Sequence, residues 1–187
     1  KVLSVIAGTI EPRAGAVKHW TSRGARANPA PMSKSLKRVI AALAEAGLET
    51  RPVEMAEGTR TAAEAAAAIG CALDQIAKSI VFHGSRSDEV VLFLTAGGGR
   101  VEPAKASALA GEPLDRATPE QVRAQTGFAI GGVSPLGLTG PVRMWFDPRL
   151  MDFAEVWPAA GTPRHVFAIG PAVLHRLTGA QLSDFTA

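Results

Sequence analysis

Lys78 stands inside the apolar run Ile76-Ala77-Lys78-Ser79-Ile80-Val81-Phe82. On an extended chain alternate residues share a face. Ile76, Lys78, Ile80 and Phe82 then fall on one side, with Ala77, Ser79 and Val81 on the other. An unpaired ammonium is costly to bury in such a strand. Either the side chain snorkels from an edge, or it is a cation at a pocket rim that meets an anion such as phosphate. A second dense stretch, residues 126–137, reads TGFAIGGVSPLG. Its glycines allow positive φ and close backbone approach, and Pro135 stiffens the exit. Such a loop can aim several N–H groups at one point, as an oxyanion or a carbonyl oxygen requires. The alternative is a plain turn between a helix and a strand. Apolar residues on its N-terminal side favour a half-buried loop.

Two other arrangements carry less. Gly97-Gly98-Gly99 could cradle a phosphate, but no lysine and serine or threonine follow in Walker spacing, and no helix follows directly. A turn between strands is the favoured reading. Ser134, His165 and Asp147 would supply a nucleophile, a base and an orienting acid, yet the G-x-S-x-G elbow is absent.

The elements that must position these groups follow from caps and periodicity. Ser33 or Ser35 caps a helix whose apolar face is Leu36, Val39, Ile40 and Leu43, and Gly47 stops it. Residues 49–54 are strand-like. Thr61 opens an alanine-rich helix over 62–69, closed by Gly70. Residues 76–83 and 89–95 form a strand pair across a polar turn at 84–88. Pro103 and Pro119 start helices reaching 110 and 126, the second capped by Thr118. Strands are predicted at 142–146, 153–156 and 166–169, and a last helix at 171–177. Helices interspersed with hairpin-linked strands point to one mixed α+β domain.

Composition narrows the function classes. The 187 residues are 47% hydrophobic and 20% charged, as in a globular protein. Aromatics are 5% with no tyrosine, which argues against nucleic-acid binding on stacked aromatic platforms. Cys71 is the single cysteine, so no internal disulfide forms and a cysteine-rich zinc site is excluded. No metal or other cofactor is expected. A reducing, cytoplasmic compartment is the reading, and no apolar run approaches the ~20 residues that cross a bilayer. Residues 1–31 carry a net +4 and the remainder −1, so the domain itself has no strong sequence-independent hold on a phosphate backbone. No DNA partner and no membrane partner are expected.

Taken together, Ile76-Ala77-Lys78-Ser79, the Gly131-Gly132-Val133-Ser134-Pro135 loop and His165-Val166-Phe167-Ala168-Ile169-Gly170 resemble the YbaK/EbsC family. That family includes the editing domain inserted in bacterial prolyl-tRNA synthetase and the free-standing ProXp proteins. The likeness runs from about Ser33 to Leu182. It rests on the strand lysine, a G-x-x-x-P loop and an H-x-F-x-x-G segment in family order. The resemblance implies an α+β fold with a mixed, barrel-like sheet. It implies hydrolysis of the ester between an amino acid and the terminal adenosine of tRNA, with no protein nucleophile and no metal. The free ribose hydroxyl of that adenosine would help to activate water or attack. The loop, with Gly131, Gly132, Val133, Ser134 and Pro135, would position and polarise the carbonyl, and Lys78 would hold the terminal phosphate or ribose. Ser79, Met55 and His165 would bound the amino-acid pocket. Ser79 stands where alanine-selective relatives tend to have asparagine, and Met55 where YbaK proteins often have tyrosine.

The expectation is a trans-acting deacylase clearing tRNA(Pro) that carries alanine, cysteine, serine or 2-aminobutyrate. Prolyl-tRNA synthetase or an elongation factor is a candidate partner. The alternatives are a non-catalytic module holding tRNA or a synthetase, and an unrelated esterase using Ser134. Met32 is expected to be the natural start, with 32–187 the domain and 1–31 a disordered or upstream leader; a basic targeting peptide or tRNA-contacting arm is the other reading of the leader.

Overall fold

Ser33 sits one residue before the 3.6-residue apolar repeat, and its Oγ accepts from the Leu36 amide at 3.1 Å. That cap starts α1, Lys34–Glu45. The structure, a computed structural model, describes residues 32–56 and 61–187, so the reading of 1–31 as a leader lies outside the described residues. β1 is only Val53–Glu54. α2, Ala62–Ile69, opens on a reciprocal capping box between Thr61 and Glu64 and closes on Gly70 at φ 82°. A 3-10 turn, Leu73–Gln75, leads into β2, Ile76–Gly84, and β3 follows at Val90–Ala96. α3 is Pro103–Ala110, β4 Leu114–Arg116 and α4 Pro119–Thr126, the last with a Thr118–Gln121 capping box. β5 is Arg143–Phe146, β6 Trp157–Pro158, β7 His165–Val166, α5 Pro171–Thr178 and β8 Gln181–Leu182. No helix among the described residues is long and apolar enough to cross a membrane.

β2 and β3 form the central antiparallel pair, with Lys78 opposite Thr95 and Ser79 opposite Leu94. β5 runs parallel along β3, and β8 parallel along β5. The outer edge of β2 is divided: β4 pairs antiparallel with its C-terminal end and β6 parallel with Ile76 and Ala77. The fold is the expected mixed α+β one, but the sheet does not close into a barrel. Its order is β4-β2-β3-β5-β8, and neither short strand on the β2 edge reaches β8. A separate two-stranded ladder joins β1 to β7, with Val53 opposite Val166 and Glu54 opposite His165.

Three sequence expectations about strands change. Residues 49–54 narrow to β1, because β7 offers only two residues to pair with. The strand predicted at 153–156 is absent. Asp147 Oδ1 accepts from the Arg149 amide and Pro148 follows, winding Pro148–Asp152 into a 3-10 turn; after it Val156 makes one isolated bridge, to Ile169. The strand at 166–169 shortens for the same reason, its partners being β1 and single bridges.

The two faces of the sheet are both covered, which is why β3 is buried along its whole length. Leu92, Leu94 and Phe146 pack on one side against Val39 and Leu43 of α1, Phe128, and Leu174 of α5. Val91, Phe93 and Trp145 pack on the other side against Ala106 and Ala110 of α3 and Phe185. Phe93 stacks on Trp145 with ring centroids 4.8 Å apart. A third, smaller cluster of Met55, Ala65, Ala66, Ile76 and Val166 lies where α2 meets the start of β2 and β7.

Candidate active site

That third cluster forms part of the lining of a cavity of about 330 Å³. Met55, Lys78, Ser79, Gly131, Val133 and His165 all line it. The structure therefore brings into one cleft residues that lie up to 110 positions apart in the chain. Trp157, Ile130 and the Thr162-Pro163 pair also line it. An apolar cleft with a few polar groups converging on it is the usual form of a small-ligand site.

Lys78 is half-buried, and its Nζ donates to the Gly99 carbonyl at 2.7 Å. Burial pushes its ammonium below the ordinary lysine value; Asp74 and Asp147 oppose that and Arg100 adds to it. It lies on the stretch of the β2 edge between the β6 and β4 pairings, and among the described residues it has no ion-pair partner. Ser79, on the neighbouring position, has a buried hydroxyl without a hydrogen-bond partner among the described residues. A buried polar group left unpaired calls for an explanation, and here it lines a cleft. His165 is held through Nδ1, 2.7 Å from Thr162 Oγ1. Nε2 has no partner among the described residues.

The 126–137 loop is built from two kinds of glycine. Gly131 adopts φ 85°, which only glycine reaches without strain. Gly132 instead permits close approach: a Cβ there would sit 2.6 Å from the Thr162 carbonyl carbon. The loop thus lies directly on the segment that carries His165. The amides of Gly131 and Val133 make no hydrogen bond among the described residues, whereas Gly132 donates to Ala129 O at 3.0 Å. Two unspent donors beside the cleft are what a carbonyl cradle requires. Ser134 and Pro135 are placed differently. Ser134 is fully buried away from the cleft, its Oγ accepting from the Leu136 amide at 3.3 Å. Pro135 lines a groove with α1 and α5 residues instead. Their part is to shape the loop.

Ser134, His165 and Asp147 do not form a relay. Asp147 is spent on Thr95 Oγ1 at 3.1 Å and the Ala96 amide at 3.0 Å, and His165 is bound to Thr162. Gly97-Gly98-Gly99 is a turn, as expected. Its glycines are required because the 3-10 turn Leu73–Gln75 packs on it: a Cβ on Gly97 would lie 2.0 Å from Leu73 O. Two residues that sequence reasoning missed support the site. Arg38 of α1 donates to Gly127 O at 2.7 Å and Gly137 O at 3.1 Å, tying both ends of the loop. Thr162 orients His165; the Gly161-Thr162-Pro163 run was a visible turn signal, but nothing local assigns its hydroxyl a partner.

A family profile described as the aminoacyl-tRNA editing domain matches residues 56–177. YwhH, an uncharacterized protein of Bacillus subtilis strain 168, is 33% identical over 140 residues, covering 75% of this chain and 88% of that protein. The proline--tRNA ligase of Nitratidesulfovibrio vulgaris strain DP4 is 35% identical over 94 residues, half of this chain and 16% of the ligase. A crystal structure provisionally described as a trans-editing enzyme for prolyl tRNA synthetase superposes with a TM-score of 0.78 at 46% identity, covering 83% of this chain and 99% of that one.

Proposed function

The chain belongs to the aminoacyl-tRNA editing domain family, and on that premise we propose that it is a trans-acting deacylase for mischarged tRNA. Its substrate is tRNA(Pro) esterified with a small wrong residue, alanine, cysteine, serine or 2-aminobutyrate. The observation that carries this reading is the single cleft shared by Lys78, Ser79, the Gly131 and Val133 backbone and His165. Residues 32–187 constitute the editing domain, and it works in the cytoplasm on the 3′ end of aminoacyl-tRNA, alongside the synthetase or an elongation factor.

In this reaction water attacks the ester carbonyl, the acyl–oxygen bond breaks, and the ribose hydroxyl leaves with a proton. An ester is already activated, so positioning and oxyanion stabilisation supply most of the acceleration. The free Gly131 and Val133 amides receive the developing oxyanion. Lys78 anchors the terminal phosphate or ribose, and the neighbouring ribose hydroxyl helps to deprotonate water. No side-chain nucleophile takes part. Met55, Ser79 and His165 bound the amino-acid side chain.

The test is hydrolysis of tRNA(Pro) charged in turn with the four amino acids, by wild type, Lys78→Ala and Gly131→Ala. The proposal expects turnover of at least one ester and losses on the order of 10²-fold in each variant. No turnover of any ester, or full activity in both variants, overturns it. Binding without turnover would instead give the non-catalytic module.

A further inference from the structure

Lys78 and Ile80 line two cavities, not one. Beside the cleft lies a groove of about 440 Å³ whose other walls are Phe82 of β2 and the Gly97–Val101 turn. Building on the deacylase reading, we propose that this groove binds the phosphodiester and base of the nucleotide preceding the terminal adenosine. It would be a subsite for single-stranded RNA separate from the acyl cleft.

Three observations carry it. The first is continuity. An adenosine ester seated in the cleft is tethered to a polynucleotide that has to leave it, and Lys78 and Ile80, which line both spaces, give it a continuous path into the groove. The second is charge. Arg100 is exposed at the groove, and among the described residues its guanidinium has no carboxylate or carbonyl partner. It is close enough to Lys78 for the two cations to repel. Asp74 and Asp147 act on Lys78 from a distance, but among the described residues neither cation has an ion-pair partner, and two such cations on one groove, one of them half-buried, are matched by a phosphodiester anion. Arg100 is also held in place, since its carbonyl accepts from the Ala187 amide at 3.0 Å, and Val101 bridges to Thr186. The third is the floor. Phe82 and Ile80 are part-exposed apolar side chains beside the cations, and Phe82 is braced edge-on by Phe93 at 5.8 Å. An aromatic next to paired cations is the sequence-tolerant way to hold one unpaired nucleotide.

The near-neutral charge of residues 32–187 agrees with a grip of one or two phosphates rather than a long basic track. The groove also gives the lysine a second duty: its Nζ lies on the carbonyl of Gly99, at the boundary between the two spaces.

Binding of adenosine 5′-monophosphate and of a CCA trinucleotide to the full chain, followed by isothermal titration or amide chemical shifts at several salt concentrations, tests this without requiring turnover. Wild type should bind the trinucleotide more tightly. In Arg100→Glu that advantage should fall roughly five- to tenfold, and the slope of log affinity against log salt should shrink by about 0.7. Phe82→Ala should reduce the advantage without changing the salt slope. Circular dichroism of both variants checks the fold. An unchanged trinucleotide advantage in Arg100→Glu, or equal wild-type affinity for the two ligands, overturns the subsite. Failure of wild type to hydrolyse any charged tRNA while these binding differences hold removes the deacylase reading and leaves the groove.

Discussion

The Lys78 ammonium is half-buried and donates to the Gly99 carbonyl, and on the proposed reading its protonation should show in substrate binding. Burial lowers its proton affinity. As pH rises, the charge is therefore lost before the ordinary lysine value of 10.5 is reached. KM for aminoacyl-tRNA should climb over that alkaline range in wild type, and be high and flat in Lys78→Met. A parallel rise in both would assign the effect elsewhere. His165, proposed to bound the amino-acid pocket, presents a different case, because Thr162 sets its position. Thr162→Val removes the partner 2.7 Å from Nδ1 and frees the ring to turn. The ratio of kcat/KM between two acyl groups, such as alanine and 2-aminobutyrate, should shift by roughly tenfold, since one methylene is worth only ~1–3 kcal/mol in a pocket. Thr162→Ser should restore the ratio. A uniform loss for every acyl group, unrescued by serine, would make Thr162 merely structural.

Among the elements, α1 holds the loop. Arg38 bonds two carbonyls ten residues apart, Gly127 and Gly137, and its guanidinium lies 4.7 Å from the Phe128 ring centre. Arg38→Ala should cost about 1.5–3 kcal/mol, the scale of hydrogen bonds to a charged donor, read by urea denaturation. It should also lower kcat, because both ends of the loop are released. Arg38→Lys cannot span two acceptors as the planar guanidinium does, so it should restore stability only in part. Retained kcat in Arg38→Ala would show the loop to be self-supporting. This dependence was hidden in the sequence, since the two contacts join residues 89 and 99 positions apart. What was legible was local. The helices announced themselves through Ser33, Thr61 and Thr118, whose caps are all formed. β2 and β3 showed in their apolar runs. β4, β6 and β8 have two or three residues each and no period to read; they are strands because a partner edge is there. The site was half legible for the same reason. Lys78 and the glycine loop stood out by breaking a local pattern. That Gly131 and Val133 face the cleft while Ser134 and Pro135 do not is a property of the packed loop.

Across the described residues, the proposed chemistry and a dense carboxylate network sit at opposite ends of β2. Lys78 is near its start; at its end, the carboxylate of Glu112 packs where a Cβ on Gly84 would lie 2.6 Å away. Glu112 accepts from the Ser87 amide and the Arg86 amide at 3.0 Å, from Ser87 Oγ at 2.8 Å, and from Arg143 at 3.0 Å. It thereby joins the β2–β3 turn, the end of α3 and β5. The Ser87 amide and hydroxyl, then the Arg86 amide and the Arg143 guanidinium, hold its carboxyl at about 2 against an ordinary 4.5, with desolvation opposing. A carboxyl depressed by folding stabilises the native state fully above its unfolded value and loses that contribution as pH falls through the folded one. Glu112→Gln should therefore be less stable than wild type at pH 7, and the gap should close between pH 4.5 and about 2. Denaturant midpoints of both proteins across that range measure it. A gap that stays constant with pH would mean that the amide loses packing rather than charge. Because this fastening is remote from the cleft, kcat and KM of the folded variant at pH 7 and 25 °C should match wild type, separating the stability of the sheet from the chemistry it carries.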